Sequence, residues 1–302
     1  MKTDWSTRDI PRLEGKKAIV TGANSGIGYF TALELGRAGV EVLVGCRDVQ
    51  KGQAAVERMR AEVPGARFSL EALDLASLAS VRAFAERARA AMPTLDLLVN
   101  NAGLMAVPKR QTTVDGFEVQ FGTNHLGHFA LTGLLMPALG ASRSPRVVTV
   151  SSTAAYWGKV DLTNLQSEKR YSPMGTYGNS KLANLLFMRE LDRRFGGTGL
   201  LSVAAEPGAS ATGLQKQDLA ARLTKLIGQS AAEGALPSLY AATMPDVKGG
   251  DYFHPGRRFG LVGPPAPSKF PKRARDTEMA RVLWEASERL TGVSYPVLAK
   301  AA

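Results

Sequence analysis

Cysteine is nearly absent from this sequence, and long apolar runs are missing altogether. Cys46 is the single cysteine among 302 residues, which excludes an internal disulfide and a metal site built from several cysteines. No apolar run reaches the roughly 18 residues that a membrane helix needs. Residues 1–11 mix charged side chains with few apolar ones, unlike a signal peptide or an anchor. We therefore expect a cytoplasmic protein without a membrane anchor.

Acidic residues are too few to balance the basic ones. The chain has 38 Lys and Arg against 27 Asp and Glu, a net charge of +11, and such an excess can indicate nucleic acid as a partner. Most basic residues are dispersed, however, and the densest run, residues 269–275, lies among prolines and favours a solvated loop. We expect no nucleic-acid partner. His125 and His128 lack acidic or cysteine neighbours at ligand spacing, so no metal site is predicted.

Apolar runs alternate with segments of helical period along most of the chain. The predicted strands are residues 18–20, 40–44, 68–73, 95–99, 147–150, 200–204 and a short seventh at 251–253; the predicted helices are residues 26–37, 49–61, 78–89, 115–135, 177–195 and 278–290. Repeated βα units imply a parallel sheet that is covered on both faces. We therefore predict an α/β fold in which a single Rossmann-type, doubly wound parallel sheet of six to seven strands is flanked by helices.

No linker divides the chain, which predicts one domain over residues 1–302. Residues 208–250 have a helical period punctuated by glycine, and we expect this segment to cover a binding site. Residues 264–302 are expected to form a C-terminal extension that contains a helix.

A glycine-rich turn follows the first predicted strand directly. Its sequence is Thr21-Gly22-Ala23-Asn24-Ser25-Gly26-Ile27-Gly28. Glycines let the chain turn tightly and bring backbone N–H groups against a pyrophosphate, and the following helix presents its positive N-terminus to the same charge. The G-x-x-x-G-x-G spacing differs from the commoner G-x-G-x-x-G fingerprint, and a tight turn without a ligand is the alternative. Three glycines at a strand-to-helix junction favour the phosphate-binding interpretation.

This loop resembles that of the short-chain dehydrogenase/reductase family. Three further family motifs stand in the expected order after it: Asp74-Leu75, Asn100-Asn101-Ala102-Gly103 and Tyr177-Gly178-Asn179-Ser180-Lys181. The segment Pro207-Gly208 and the residue Thr212 are similar to the family's nicotinamide-side loop.

The resemblance implies how a nicotinamide cofactor is held. It implies that Asp74 and Leu75 lie near the adenine and that residues 101–103 border the adenine ribose, although a simple turn leaving a strand is the alternative for that motif. Many family members assemble through two of their helices, so a homodimer and a homotetramer are both open.

The end of the second predicted strand decides between NAD and NADP. An acidic side chain there bonds the ribose 2′-hydroxyl of NAD, whereas an arginine accommodates the 2′-phosphate of NADP. By resemblance, the acidic position falls on Cys46, which has no charge to repel a phosphate, and Arg47 follows with a planar, permanently charged group. NADP(H) is therefore the expected cofactor. Asp48 keeps NAD(H) open, since it would suit NAD if the turn ran two residues longer.

Tyr177 and Lys181 are four residues apart on a predicted helix, so their side chains are neighbours. A cation about 4 Å away contributes about 4 kcal/mol at an effective dielectric near 20, enough to lower a phenol pKa by up to about three units. The resemblance implies that Tyr177 is the acid/base and that Lys181 also grips the nicotinamide ribose. It implies that Ser152 holds the substrate oxygen, with Ser151 as the alternative. Asn124 would hold a water in a proton relay, or else be a buried residue that its own helix satisfies.

Residues 158–165 and 180–187 resemble the retinol-dehydrogenase-like branch, which includes relatives of the WW-domain oxidoreductase and of the light-dependent protochlorophyllide reductases. The resemblance implies hydride transfer between nicotinamide and a carbonyl or alcohol of a small, lipophilic molecule. Where many members read His-Pro-Gly, this chain has Glu206, which either repels acidic substrates or caps a strand end. A cofactor-binding sensor or scaffold without turnover and a light-dependent pigment reductase are the alternative functions.

Overall fold

Short runs of valine, isoleucine, leucine and alanine form the strands of one sheet in the computed structural model, which describes residues 2, 4–209 and 229–298. The strands are β1 Lys17–Thr21, β2 Glu41–Cys46, β3 Phe68–Ala72, β4 Leu97–Asn100, β5 Arg146–Val150, β6 Leu201–Ala205, β7 Tyr252–Arg257 and β8 Val262–Pro267. They lie in the order β3-β2-β1-β4-β5-β6-β7-β8. The pairs from β3 to β7 are parallel, and β8 is antiparallel to β7.

Helices cover both faces of the sheet, as the alternating pattern predicts. The helices are α1 Gly26–Arg37, α2 Val49–Glu62, α3 Leu78–Ala91, α4 Val119–Phe121, α5 Gly127–Gly140, α6 Pro173–Phe195, α7 Ala231–Thr243 and α8 Thr277–Thr291. Side chains of α1, α2 and α7 pack on one face, and side chains of α3, α5, α6 and α8 pack on the other. The predicted doubly wound Rossmann-type fold is confirmed.

Successive strand residues supply the two faces in turn. Ile19 of β1 and Leu43 of β2 belong to the core under α3 and α5, whereas Val20 and Val44 belong to the core under α1 and α2. All four are at most 2% exposed, and burying such a side chain contributes about 1.5–3 kcal/mol. Strands that are buried on both faces therefore have no polar positions, which is why they appear in the sequence as continuous apolar runs.

The sheet has eight strands where six to seven were predicted. The additional strand, β8, contains Pro264, Pro265 and Pro267, and these prolines suggested a loop. A proline cannot donate to a sheet ladder, but β8 is the last strand in the order, where one side needs no partner. The basic run that follows is not a simple solvated loop either. Lys272–Arg275 forms a 3-10 turn, and Arg273 donates to the carbonyl oxygen of Gly158 at 3.0 Å.

The single helix predicted over residues 115–135 is interrupted. It begins with α4, continues as a π-helical turn at Gly122–Leu126 and ends as α5. π-Helical turns are rare and occur often at functional sites. The predicted helix 177–195 starts earlier, at Pro173, because Ser172 caps it by accepting from the N–H of Gly175 at 3.3 Å. Tyr177 consequently lies in the second turn of α6.

The segment expected to cover the site, residues 208–250, lies largely outside the described residues. Within its described part, α7 packs against the sheet beside α1, with Leu239 and Tyr240 buried in that core. The C-terminal extension contains the predicted helix, α8. Among the residues that the structure describes, no helix combines the length and the apolar composition needed to cross a membrane.

Candidate active site

A cleft opens where the strand order reverses. β1 and β4 are neighbours, but the chain leaves them toward opposite edges of the sheet, and such switch points form a crevice at the carboxyl ends of the strands. The cleft has a volume of about 300 Å³. It is lined by the predicted residues Gly22, Asn24, Ser25, Gly26, Ile27, Gly28, Arg47, Asp74, Leu75, Asn101, Ala102, Gly103, Tyr177, Lys181 and Pro207. It is also lined by Gly45, Leu73, Leu104, Thr123 and Val150, which lie beside the motifs but were not predicted.

Backbone conformation and close packing shape the glycine loop. Gly22 and Gly26 have φ angles of 68° and 59°, a region that favours glycine. A Cβ at Gly28 would lie 2.6 Å from the carbonyl oxygen of Gly22 and 2.5 Å from Asn101 Nδ2. A Cβ at Gly26 would meet nothing within 4 Å. The loop is therefore tightly packed below Gly28 and open at Gly26.

The start of α1 fits a dinucleotide pyrophosphate. Ser25 takes the capping position without a side-chain hydrogen bond, and the first N–H groups of a helix have no partner within the helix. Ser25, Gly26 and Gly28 all line the cleft. Free N–H groups, the positive end of a helix and open space at a glycine are the features that bind a phosphate.

Thr21 joins the glycine loop to the loop after β4. Its Oγ1 accepts hydrogen bonds from the N–H groups of Asn101 at 2.9 Å and Ala102 at 3.0 Å. Asn101 Nδ2 donates in turn to the carbonyl oxygen of Thr21 at 2.8 Å. The same Oγ1 lies 2.9 Å from His128 Nε2. These bonds hold the two sides of the cleft together.

His128 extends this network to the π-helical turn. Its Nδ1 lies 2.9 Å from the carbonyl oxygen of Asn124, which can only accept, so Nδ1 carries the proton and Nε2 accepts from Thr21. Burial lowers the pKa of His128 to about 4, which keeps the ring neutral as this arrangement requires. Within the described ranges, no three His, Cys, Asp or Glu side chains are grouped as metal ligands.

Asn124 is fully buried and fastens the loop after β4 to α6. Its Oδ1 accepts from the N–H of Leu104 at 2.7 Å, and its Nδ2 donates to the Leu104 carbonyl oxygen and to Ser180 Oγ, each at 2.9 Å. Its side chain is thus satisfied by other segments and not by its own helix. Neither Asn124 nor Ser152 is among the residues that line the cleft.

Ser152, Tyr177 and Lys181 converge at one end of the cleft. The Ser152 side chain hydrogen-bonds the Tyr177 phenol, and Lys181 Nζ lies 5.7 Å from the centroid of the Tyr177 ring. Lys181 Nζ also donates to the carbonyl oxygen of Val150 at 3.2 Å. Ser151 Oγ instead donates to the Lys181 carbonyl oxygen at 3.0 Å. The structure therefore brings Ser152, and not Ser151, to the tyrosine.

Burial raises the pKa of Tyr177, whereas the nearby lysine predicted a lowering. Loss of solvent is the main cause; the hydrogen bond with Ser152 lowers this pKa, and the charge of Glu206 raises it further. Burial also lowers the pKa of Lys181 to about 8, so the ammonium begins to lose its charge just above neutral pH. Its position near the Val150 carbonyl does not reverse the effect of burial on the phenol.

The end of β2 separates the two candidate ribose-binding side chains. Arg47 is exposed and lines the cleft. Asp48 caps α2 by accepting from the N–H of Lys51 at 3.0 Å, and its other oxygen pairs with Lys51 Nζ at 2.9 Å. The buried Cys46 thiol donates to the Asp48 carbonyl oxygen at 3.3 Å. Arg47 is thus available to a ligand, whereas the Asp48 carboxylate is held at the start of a helix.

The remaining predicted residues fall into three groups. Asp74 Oδ1 accepts from the N–H of Ala76 at 2.9 Å, which leaves the carboxylate at the edge of the cleft. Pro207 lines the cleft, but Gly208 faces elsewhere, since a Cβ on it would lie 2.5 Å from the Leu261 carbonyl oxygen. Thr212 lies outside the described residues.

Comparison with known proteins identifies the family. Residues 16–222 match the family model described as short chain dehydrogenase. The chain belongs to the short-chain dehydrogenase family. Retinol dehydrogenase 12 of Mus musculus is 41% identical to it over 290 residues, which cover 94% of this chain and 89% of that protein. Polyprenol dehydrogenase of Mus musculus is 42% identical over 306 residues, or 97% and 88% of the two chains.

A solved structure agrees with this assignment. The crystal structure of an uncharacterized protein from Mycobacterium paratuberculosis has a TM-score of 0.82 and 43% identity, and the match covers 98% of this chain and 100% of that one. The resemblance to the retinol-dehydrogenase-like branch is confirmed by these relatives. This short-chain dehydrogenase is thus an oxidoreductase that transfers a hydride between a nicotinamide cofactor and an alcohol or carbonyl of a small molecule.

Proposed function

We propose that this short-chain dehydrogenase is an NADP(H)-dependent enzyme in which Tyr177 is the acid/base for a lipophilic carbonyl or alcohol. The convergence of Ser152, Tyr177 and Lys181 beside the glycine loop is the observation that carries the proposal. All three belong to one end of the cleft, where a substrate oxygen can meet a phenol and a hydroxyl at once.

Each side chain has a separate task in the reaction. Bound nicotinamide supplies the hydride to a carbonyl carbon, or accepts it from an alcohol carbon. In reduction the Tyr177 phenol donates its proton to the substrate oxygen, and in oxidation the phenolate takes that proton back. Ser152 donates a hydrogen bond that holds the same oxygen in place. Lys181 would hold the nicotinamide ribose, and Asn124 keeps the Leu104 loop fixed against α6.

The protonation state of Tyr177 favours reduction at neutral pH. Its raised pKa keeps the phenol protonated, and the protonated phenol is the form that donates. Lys181, with a pKa of about 8, still carries charge at neutral pH. We therefore propose that the site works as a carbonyl reductase near neutrality and as an alcohol dehydrogenase at higher pH.

The preference for NADP(H) rests on Arg47 and on the position of Asp48. Arg47 is exposed at the cleft and can bind a 2′-phosphate with two parallel hydrogen bonds. The Asp48 carboxylate, which would favour NAD, already accepts from Lys51. A ribose hydroxyl would have to replace both of those contacts.

Arg47→Ala is expected to raise the KM for NADPH about 10- to 100-fold, because a charged hydrogen bond contributes about 1.5–3 kcal/mol. The KM for NADH should hardly change, since NADH has no 2′-phosphate. Initial rates at varied cofactor concentration measure both values. Asp48→Asn is the matched control: asparagine also caps helices, and the ratio of the two KM values should stay as in the wild type. A loss of NADH use in Asp48→Asn alone would show that Asp48 binds the ribose.

The substrate proposal follows from the relatives and from the surface beside α6. The names retinol dehydrogenase and polyprenol dehydrogenase describe enzymes for isoprenoid alcohols. In this chain Trp157 and Met174 are 56% and 42% exposed, and Met174 lies in the turn of α6 that precedes Tyr177. We propose a long-chain, isoprenoid-like aldehyde or alcohol as the substrate class.

The proposed function is tested by NADPH consumption with retinal, a polyprenal and a short aliphatic aldehyde. We expect turnover, with kcat/KM larger for the two isoprenoid aldehydes than for the short one. Binding of NADPH without turnover of any aldehyde would contradict an enzymatic role and favour a cofactor sensor. Turnover that appears only on illumination would favour the pigment-reductase alternative.

A further inference from the structure

Glu206 is a buried carboxylic acid that the mechanism above does not use. It follows Ala205, the last residue of β6, and its N–H donates to the carbonyl oxygen of Phe253 on β7 at 2.9 Å. On the other side of β6, the N–H of Ser151 donates to the Ala205 carbonyl oxygen at 2.8 Å. Glu206 is 1% exposed, and acidic residues are almost never buried to that extent without a partner.

The partners of this carboxyl group come from β7. Tyr252 Oη donates to Glu206 Oε2 at 2.6 Å, and His254 Nδ1 lies 3.8 Å from Oε1. Burial lowers the pKa of His254 and raises that of Tyr252, so the imidazole is neutral and the phenol keeps its proton at neutral pH. In the part of the chain that is described, no lysine or arginine forms an ion pair with Glu206. When the carboxyl group ionises, its charge is therefore not cancelled nearby.

The face of the sheet on which Glu206 lies is the one that α6 covers. Ala204, two residues earlier on β6, packs in one core cluster with Tyr252 and with α6 residues such as Leu182. Because strand side chains alternate between faces, Glu206 points to the same side as Ala204. The charge of Glu206 acts on Tyr177 across this boundary.

The ionisable groups around Glu206 belong to three elements. Tyr252 and His254 on β7 contact it, and Tyr177 on α6 experiences its charge. Lys181 lies one turn further along α6, and its ammonium is directed to the Val150 carbonyl oxygen. Tyr156, in the 3-10 turn after β5, acts on Tyr252. Only Lys181 among these is charged at neutral pH.

We propose that Glu206 is a positioning residue of the site: its carboxylate, held by Tyr252 at the end of β6, keeps the Tyr177 phenol protonated and so extends carbonyl reduction to higher pH. The proposal rests on the proposed function, in which Tyr177 is the proton donor. It adds a residue that touches neither substrate nor cofactor and acts only through the tyrosine.

The pH at which Glu206 ionises suits this task. Burial raises its pKa from 4.5 to about 7, and the hydrogen bond from Tyr252 limits the rise. Its negative charge thus appears as the pH passes neutrality, where the phenol would otherwise come closer to losing its proton. A like charge nearby disfavours ionisation. The equilibrium constant of the reaction is unaffected, because only the pH range in which each direction is fast changes.

Glu206→Gln removes the charge and keeps the shape. We expect the alkaline limit of kcat/KM for aldehyde reduction, and the midpoint at which alcohol oxidation sets in, to move to lower pH by about one unit. Glu118→Gln is the matched control: Glu118 is 0% exposed and its pKa is also raised by burial, but its oxygens accept from Gln120 and Phe121. The control profile should coincide with that of the wild type. Coincident midpoints for Glu206→Gln and the wild type would overturn the proposal.

Thermal unfolding as a function of pH tests the titration without any turnover. The folded pKa of about 7 exceeds the ordinary 4.5, so the folded chain binds an extra proton between those values and loses stability as the pH rises through them. Glu206→Gln lacks this loss. Its Tm should therefore rise relative to that of the wild type between about pH 5 and about pH 8. A Tm difference that does not change with pH would overturn the proposal.

Tyr252→Phe keeps the test available if Glu206→Gln does not fold. Without the Tyr252 hydroxyl the carboxylate loses its hydrogen-bond donor and ionises at higher pH, so the reduction profile should again move to lower pH. An unchanged profile in this variant counts against the proposal. Turnover that survives Tyr177→Phe would contradict the proposed function itself, whereas a Tyr177-dependent enzyme whose profile ignores Glu206 contradicts only the inference about Glu206.

Discussion

Tyr177→Phe is expected to lower kcat/KM for carbonyl reduction by about a thousandfold, within the range that general acid catalysis contributes. The substitution removes one oxygen from a side chain that is 7% exposed, and the ring keeps its packing beside Lys181. The variant lacks the proton donor, while Ser152 remains able to hold the substrate oxygen. Single-turnover kinetics with NADPH and an isoprenoid aldehyde should show the loss in the chemical step.

Two measurements separate a chemical defect from a structural one. The Kd for NADPH of Tyr177→Phe should stay within a few-fold of the wild-type value, since the glycine loop and Arg47 are unchanged. Tyr156→Phe is the matched control, because Tyr156 is near the site but is 47% exposed and donates to the Lys269 carbonyl oxygen. It should turn over normally. Undiminished turnover by Tyr177→Phe would show that another group supplies the proton.

Local sequence patterns predicted the elements that position the site. Continuous apolar runs defined the central strands, and a strand that is buried on both faces has such a run as its only pattern. The glycines of the loop were predictable for a similar reason: Gly22 and Gly26 adopt positive φ angles, and few other residues tolerate them. The four-residue interval between Tyr177 and Lys181 is likewise a property of one helix.

Contacts between distant segments were not predictable in this way. Thr21 and His128 are 107 residues apart, so nothing local to either side chain indicates the bond that links the glycine loop to the π-helical turn. The direction of the Tyr177 pKa shift was missed for the same reason. The pair of residues on α6 suggested a lowering, but burial by the rest of the fold and the charge of Glu206 decide the outcome.

The prolines of β8 show a related limit. Three prolines in a short segment indicate a loop when only the local backbone is considered. β8 is nevertheless a strand because it occupies the end of the sheet order beside β7. Which strand lies at an edge depends on how all the others pair, and this information is not present in the segment itself.

Gly28→Ala is expected to weaken NADPH binding by at least about 100-fold, equivalent to roughly 2.7 kcal/mol. Alanine favours a helix by about 1 kcal/mol over glycine, so propensity alone would predict a gain in stability. The new Cβ would, however, lie 2.6 Å from the Gly22 carbonyl oxygen and 2.5 Å from Asn101 Nδ2. Relief of this overlap moves the glycine loop away from Asn101 and breaks its bond to the Thr21 carbonyl oxygen.

Gly26→Ala separates this effect from backbone strain. Gly26 has a φ of 59°, but a Cβ there would meet nothing within 4 Å, so only the left-handed conformation opposes the change, at a cost of about 1–2 kcal/mol. Fluorescence titration should give a Kd for NADPH that rises about 5- to 30-fold in Gly26→Ala, less than in Gly28→Ala. The opposite order would mean that the cofactor itself approaches Gly26 too closely for a methyl group. Because the two glycines lie in one loop, that order decides whether packing beneath the loop or contact above it limits cofactor binding.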